Sequence, residues 1–552
     1  MRIEEPLEGH APVPRPLAEA YRRKGYWKPP ALGERLDAWA ARSGSRIALV
    51  CGEERVSYAE LALRADRLAA ALAGIGVRRR ERVLLQLPNR PELVVLAFAL
   101  FKLGAIPVMA LPAHRETEIR HFLQFTQAVA YCAPAELRGF DYLEMARAVA
   151  PQAPALRHVL DASTLASLSR GTGAARLPPG SGPAPADVAL LMPSGGSTGL
   201  PKLIPRTHED YGYNIELSVA LSGMDARTVF LAALPVAHNF SFATPGVLGT
   251  LLAGGTAVLA PSPSVECALP LVERERVTHT SVVPAVAIQW LDAAQCGRHD
   301  LSSLRVLQVG GTRLAADTAR RAERLLGATV QQVYGMAEGL NNVTRLDDPE
   351  DVRCETQGRP LSPDDELRIV GPDGEPVPPG GRGELLARGP YTVRGYYKAP
   401  EQNAVSFTAD GFYRTGDLVR MTPGGNLCVE GRIKDLINRG CEKISAEEIE
   451  SLILAHPAVQ NAAVVAMPDP LMGERVCAFV VPRPAAALTL QGLREFLADA
   501  RIAPFKLPEW LEQLERLPLT GVGKVSKQAL RELIAAKLAA QPATTSPGAQ
   551  RW

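Results

Sequence analysis

Residues 192–202 read Met-Pro-Ser-Gly-Gly-Ser-Thr-Gly-Leu-Pro-Lys. Gly195, Gly196 and Gly199 let the backbone turn its N–H groups toward one point. Ser194, Ser197 and Thr198 add hydroxyl donors, and Lys202 adds a cation. Such a loop is suited to polyphosphate. It is not the common P-loop, because Leu200 and Pro201 separate the last glycine from the lysine and Leu203 follows it. The stretch hangs between two apolar runs, 188–191 and 203–204, which is the geometry of a site loop between two strands rather than of a linker.

Outward from that loop, short apolar runs alternate with amphipathic ones. Residues 58–76 carry Leu61, Leu63, Leu68, Leu72 and Ile75 near helical spacing, and 82–87 reads as a strand. Further short buried strands are expected at 229–234, 257–260, 281–283, 306–309 and 330–333, with a helix over 315–326. This pattern predicts an α/β layered fold. At 552 residues the chain exceeds what one hydrophobic core supports. A charged, glycine-bracketed segment at 431–440 leads into Ser445 with acidic residues behind it, the mark of a helix start and a new unit. The expected organisation is a large α/β domain over 1–432, made of several subdomains, a small α+β domain over 433–538, and a disordered tail over 539–552.

The 61 basic and 59 acidic residues nearly cancel, which argues against a nucleic-acid or anionic-membrane partner. Eight cysteines without a C-x-x-C pair read as reduced thiols, and the nine histidines form no zinc motif. No apolar signal core opens the chain, and no apolar run is long enough to span a bilayer. A cytoplasmic enzyme is expected.

Four further motifs follow the loop: Tyr334-Gly-Met-Ala-Glu338, Tyr413-Arg-Thr-Gly-Asp417, Gly431-Arg-Ile-Lys-Asp435 and Gly521-Val-Gly-Lys524. In order and spacing the set resembles the acyl-adenylate-forming superfamily, which includes acyl-CoA synthetases, luciferases and peptide-synthetase adenylation domains. The resemblance covers nearly the whole chain and implies ATP and Mg²⁺ as partners in forming an acyl-AMP. It further implies a small C-terminal domain that rotates about a hinge at Lys434. Ser194 to Lys202 would hold the phosphates, and Glu338 would hold Mg²⁺. Gly310, Gly311 and Tyr334, with the neighbouring Gly335 and Met336, would flank the adenine. Asp417 would accept the ribose hydroxyls, supported by Arg432. Lys524 would reach the carboxylate and the α-phosphate. Taken singly, each of these residues has a plainer reading, such as a capping glutamate, a turn aspartate or a solvated lysine.

Within the superfamily, Leu234-Pro-Val-Ala-His-Asn-Phe240 is similar to aryl-acid adenylating enzymes of siderophore pathways that use 2,3-dihydroxybenzoate or salicylate. The similarity implies a pocket of His238, Asn239, Phe240, Thr244, Val333 and Asn341. Asn239 stands where amino-acid-activating relatives carry an aspartate. A neutral amide disfavours a substrate ammonium and suits an ortho-hydroxyl. Asn341 and Thr244 depart from the subfamily pattern. Either they meet an extra polar substituent or ring nitrogen, as in 3-hydroxyanthranilate or 3-hydroxypicolinate, or Asn341 bonds backbone or water and the acid is plain salicylate. Cys441 replaces a glycine beside the passage expected for a pantetheine thiol. The acceptor is expected to be phosphopantetheine on a separate carrier protein, with coenzyme A as the alternative and a noncatalytic binding paralog as the reading from another class. A monomer or weak homodimer is expected.

Overall fold

The structure is a computed structural model and describes residues 6–171, 176–178, 180–194, 201–439, 442–469, 472–484, 486–500, 502–521 and 523–540. The described residues fall into two compact units. The first comprises residues 1–370, 385–415 and 421–428, and the second 371–384, 416–420 and 429–552.

The first unit is built on two largely parallel sheets. The larger runs in the order Arg359–Pro360, Asn341–Val343, Thr329–Gly335, Val306–Gly310, His279–Val282, Val229–Ala232, Thr256–Leu259, Ile47–Cys51 and Glu54–Ser57. Its six central strands are parallel, and antiparallel strands close both edges. Strands buried on both faces read as continuous apolar runs, which is why Val306–Gly310 and Val229–Ala232 stand out in the sequence. The helices between them, such as Ala316–Leu326, cover the sheet through Ala319, Ala322 and Leu326.

The second sheet runs Leu203–Thr207, Val188–Pro193, Ile106–Met109, Arg82–Leu85, Ala130–Ala133 and His158–Asp161. Its antiparallel pair, 188–193 with 203–207, carries the glycine-rich loop at its turn. A four-stranded sheet follows in the order Glu366–Val370, Gly383–Arg388, Tyr413–Met421 and Leu427–Arg432, and the division between the units falls within its strands.

The second unit is a separate α+β layer. Glu442–Ser445, Leu436–Arg439, Gly473–Pro482 and Val459–Asp469 lie side by side, with Trp510–Gln513 pairing parallel to Gly473–Pro482. Alternate residues of Val459–Asp469 serve opposite faces. Val464 packs with Ile449, Ile453, Leu493 and Leu497, while Val465 and Met467 pack with Leu530 and Ile534 of the helix Lys527–Ala540. Ser445 caps the helix Ala446–Leu454 by accepting the Glu448 N–H at 3.3 Å. Lys434 lies in a single 3-10 turn, Ile433–Asp435, inside this unit. Asp417 and Arg432, placed by the sequence reading in the large domain, also cluster with the second unit. The segment 541–552, expected to be disordered, lies outside the described residues.

Candidate active site

Open parallel sheets bind ligands beyond the carboxyl ends of their strands. In the first unit those ends carry the expected residues. Val229–Ala232 leads through 233–237 to His238 and Asn239, Val306–Gly310 ends at Gly310 beside Gly311, and Thr329–Gly335 ends on Val333, Tyr334 and Gly335, followed by Met336. Close approach explains two glycines. A Cβ on Gly310 would stand 2.9 Å from the Val333 carbonyl oxygen and 3.1 Å from the Phe240 ring. One on Gly335 would stand 1.9 Å from Asn341 Oδ1. Gly310, Phe240 and Val333 therefore form one wall, and Gly335 packs directly on Asn341, its partner in the antiparallel register.

Asn239 opens the short helix Asn239–Ala243, whose cap is His238; the His238 Nδ1 accepts the Phe240 N–H at 3.3 Å. Asn239 Oδ1 accepts from the Tyr211 hydroxyl at 2.7 Å, and Asn239 Nδ2 reaches Thr244 Oγ1 only at 3.4 Å. Asn341 Nδ2 donates to Asn214 Oδ1 at 2.8 Å and to the Gly339 carbonyl at 3.3 Å, while Asn214 donates to the Ala243 carbonyl at 3.1 Å. Both amide protons of Asn341 thus have protein acceptors. On its donor side Asn341 is held by protein groups, one a side chain and one a backbone carbonyl, rather than left open for a substituent of the substrate.

The glycine-rich loop is tied at its base. Ser194 N–H donates to the Lys202 carbonyl at 2.7 Å, and Lys202 N–H donates to Ser194 Oγ at 3.1 Å. Gly195, Gly196, Ser197, Thr198 and Gly199 lie outside the described residues, as does Cys441. The Lys202 ammonium sits 5.3 Å from the centre of the Tyr396 ring, and the Tyr396 hydroxyl donates to Glu338 Oε1 at 2.8 Å. Burial, with the Glu338 carboxylate and Tyr413 nearby, holds the Tyr396 phenol far above its ordinary pKa, so it remains a donor. The turn bearing Glu338 is fixed from outside, by the Val393 N–H on the Glu338 carbonyl at 2.8 Å and by Arg206 Nη1 on the Ala337 carbonyl at 3.0 Å.

Among the described residues no three His, Cys, Asp or Glu side chains form a metal cluster. A lone carboxylate such as Glu338 fits a hard cation whose remaining ligands are phosphate oxygens and water, the usual habit of Mg²⁺.

In the second unit Asp417 Oδ1 accepts from Arg432 Nε at 2.6 Å between neighbouring strands. Lys524 lies on a tight hairpin closed by a bridge between Leu519 and Val525 and by the Gly523 N–H on the Thr520 carbonyl at 2.9 Å.

Sequence reasoning missed Tyr211, Asn214, Arg206 and Tyr396. A signal for the first two exists: Tyr211, Asn214 and Ser218 recur at helical spacing on the buried face of His208–Leu221, where apolar residues are the rule. Tyr396 has no comparable mark, since it touches Glu338 only through the tertiary fold.

The family model described as AMP-binding enzyme matches residues 36–397, and that described as AMP-binding enzyme C-terminal domain matches 448–524. The chain is 52% identical to a 2,3-dihydroxybenzoate-AMP ligase of Bacillus subtilis, covering 97% of this chain and 99% of that protein. It is 49% identical to a salicylyl-CoA synthase / salicylate adenylyltransferase of Streptomyces, covering 96% and 98%. It is 46% identical to a salicyl-AMP ligase / salicyl-S-ArCP synthetase of Mycobacterium tuberculosis, covering 98% and 96%. With both matched segments in sequence order and these relatives spanning nearly its whole length, the chain belongs to the AMP-binding enzyme family.

Proposed function

We propose that this enzyme activates an ortho-hydroxylated aromatic acid of the salicylate or 2,3-dihydroxybenzoate type as its aryl-AMP and then delivers the acyl group to a thiol. A carboxylate oxygen attacks the α-phosphorus of ATP, a C–O–P linkage forms, and the bond from that phosphorus to the pyrophosphate oxygen breaks. The acceptor thiolate then attacks the acyl carbon, a C–S bond forms, and AMP leaves. Two anions meet in the first step, so fixed cations and donors carry most of the catalysis. Lys202 and the loop from Ser194 to Gly199 hold phosphate oxygens. Gly310, Gly311 and Tyr334 take the adenine, and Asp417 with Arg432 takes the ribose. Lys524 contacts the carboxylate and the α-phosphate, and Lys434 serves the hinge. Glu338 would hold Mg²⁺, which would supply charge neutralisation of the phosphates when bound.

The observation that carries the substrate class is the uncharged pair of polar side chains, Asn239 and Thr244, at the mouth of the helix Asn239–Ala243, with the amide hydrogens of Asn341 already given to Asn214 and Gly339. An α-amino acid would bring an ammonium with no carboxylate to meet it there. Both amide hydrogens of Asn341 are taken by Asn214 and Gly339, so a ring nitrogen finds no donor there, which favours salicylate and 2,3-dihydroxybenzoate over 3-hydroxypicolinate. The acceptor is phosphopantetheine on a separate aryl carrier protein, a reading supported by the name of the mycobacterial relative, while that of the Streptomyces relative supports coenzyme A as the alternative.

Acid-dependent exchange of pyrophosphate into ATP tests the reading. Exchange is expected with salicylate and 2,3-dihydroxybenzoate; strong exchange with L-amino acids or long-chain fatty acids, and none with these two, would refute it.

A further inference from the structure

The amide of Asn239 can present either its N–H₂ or its C=O to a ligand, and the two faces select opposite chemistries. Tyr211 decides between them. Its side chain is fully buried, and its hydroxyl has two neighbours: Asn239 Oδ1 at 2.7 Å and the thioether of Met192 at 3.7 Å. If the amide were reversed, the phenol would accept from Asn239 and its own proton would be left with sulfur, a weak acceptor, in a site closed to water. Donation to Oδ1 avoids that loss. The Arg206 guanidinium, 4.9 Å from the centre of the Tyr211 ring and held by Asp210 at 2.8 Å, places a fixed cation on the phenol and strengthens it as a donor. Burial meanwhile raises the phenol pKa, keeping the proton in place at working pH.

With Oδ1 turned to the Tyr211 hydroxyl, the N–H₂ is the poorly partnered group of Asn239. One hydrogen reaches Thr244 Oγ1 at a long 3.4 Å, and the other has no partner among the described side-chain contacts. Ortho-substituted benzoates divide sharply against such a donor. In salicylate the phenolic proton is held by the adjacent carboxylate, so the hydroxyl turns lone pairs outward. In anthranilate one amino hydrogen goes to the carboxylate and the second points outward, needing an acceptor.

We propose that Tyr211 is a positioning residue that locks the Asn239 amide with its donor face toward the acid, so that the pocket selects ortho groups that accept a hydrogen bond over ortho groups that donate one. This inference rests on the reading that Asn239 meets the ortho substituent.

The experiment compares kcat/KM for salicylate and anthranilate in pyrophosphate exchange with the full chain. The native enzyme is expected to favour salicylate. Tyr211→Phe keeps the ring but frees the amide to turn, and the ratio is expected to fall by about tenfold, the scale of one hydrogen bond, with the KM for ATP unchanged. Asn239→Asp supplies a second handle that does not depend on Tyr211→Phe folding. Tyr211 can donate to one carboxylate oxygen while the other can only accept, so the preference should invert toward anthranilate. A ratio unmoved by Tyr211→Phe in a folded variant, or Asn239→Asp still favouring salicylate, overturns the lock. Asn239→Leu separates the two levels: if it leaves the salicylate preference intact, Asn239 does not meet the ortho group and the reading on which the lock rests fails, whatever Tyr211→Phe does.

Discussion

The hydroxyl of Tyr396 donates to Glu338 across 2.8 Å while the other end of the relation, the ring face, carries the Lys202 ammonium 5.3 Å from its centre. A lysine and a glutamate this close to one phenol would otherwise be free to pair with each other. The ring holds the cation by its face and the anion by its edge, leaving both available to a ligand that brings phosphate and a divalent cation together.

Tyr396→Phe keeps the ring and removes the bond to Glu338 together with the contact to the Tyr413 hydroxyl at 3.1 Å. Hydrogen bonds to charged groups contribute about 1.5–3 kcal/mol. The Mg²⁺ concentration for half-maximal pyrophosphate exchange should therefore rise by roughly tenfold or more, with little change in the KM for the acid. An unaltered Mg²⁺ titration would remove Glu338 and Tyr396 from the metal's surroundings.

Asn341→Val should act on folding rather than on specificity. The change strips Asn214 Oδ1 of its donor in a buried site, a loss of about 1–3 kcal/mol. A lower denaturation midpoint and an equal loss of kcat/KM across salicylate, 2,3-dihydroxybenzoate and 3-hydroxyanthranilate are expected. A selective gain for salicylate would instead mean that Asn341 touches the ring substituents.

Lys524→Ala and Lys434→Pro should divide the two half-reactions. Removing a cation that meets two anionic groups commonly costs about 10²–10³ in rate, so Lys524→Ala is expected to cripple adenylate formation yet transfer a supplied aryl-AMP to the thiol. Proline at 434 fixes φ within the Ile433–Asp435 turn and should spare adenylation while blocking transfer. Single-turnover assays of each step, with carrier protein and coenzyme A as acceptors, read this directly; equal impairment of both steps in both variants would end the proposed division.

Asp365 predicts a pH dependence of stability. Burial raises its carboxyl from 3.8 to about 7, against the opposing bonds from the Tyr391 hydroxyl at 2.5 Å and the Ser362 N–H at 3.1 Å. The folded state therefore binds the proton more tightly than the unfolded chain. That contribution to stability is complete below pH about 4 and is lost as pH rises to about 7. Asp365→Asn cannot ionise, so its melting temperature relative to the native protein should improve between pH 5 and pH 8; a constant difference across that range would show that Asp365 does not titrate there.

Much of the fold was legible because parallel strands buried on both sides announce themselves without tertiary context. The expected runs at 306–309 and 330–333 became Val306–Gly310 and Thr329–Gly335, and the helix expected over 315–326 became Ala316–Leu326. What sequence order hid is that 371–384 and 416–420 cluster with the later unit, taking Asp417 along. Strand partners across a sheet depend on pairing between distant segments, which no local pattern encodes. The same holds for the site. Asn239 and Glu338 stand out through their motifs, whereas Tyr211 and Tyr396 matter only through what the fold sets beside them.

Arg206 extends that point. Fully buried, it gives one nitrogen to the Ala337 carbonyl, next to Glu338, another to Asp210, and its flat face to Tyr211. On the roles proposed for Asn239 and Glu338, the same guanidinium backs both the amide facing the acid and the carboxylate facing the metal. If acid and ATP each tighten that brace, their binding is coupled, and such coupling is reciprocal. Whatever order the acid and ATP arrive in, each should then bind more tightly once the other is in place, and loosening the brace with Arg206→Lys should weaken that mutual help by equal factors in both directions.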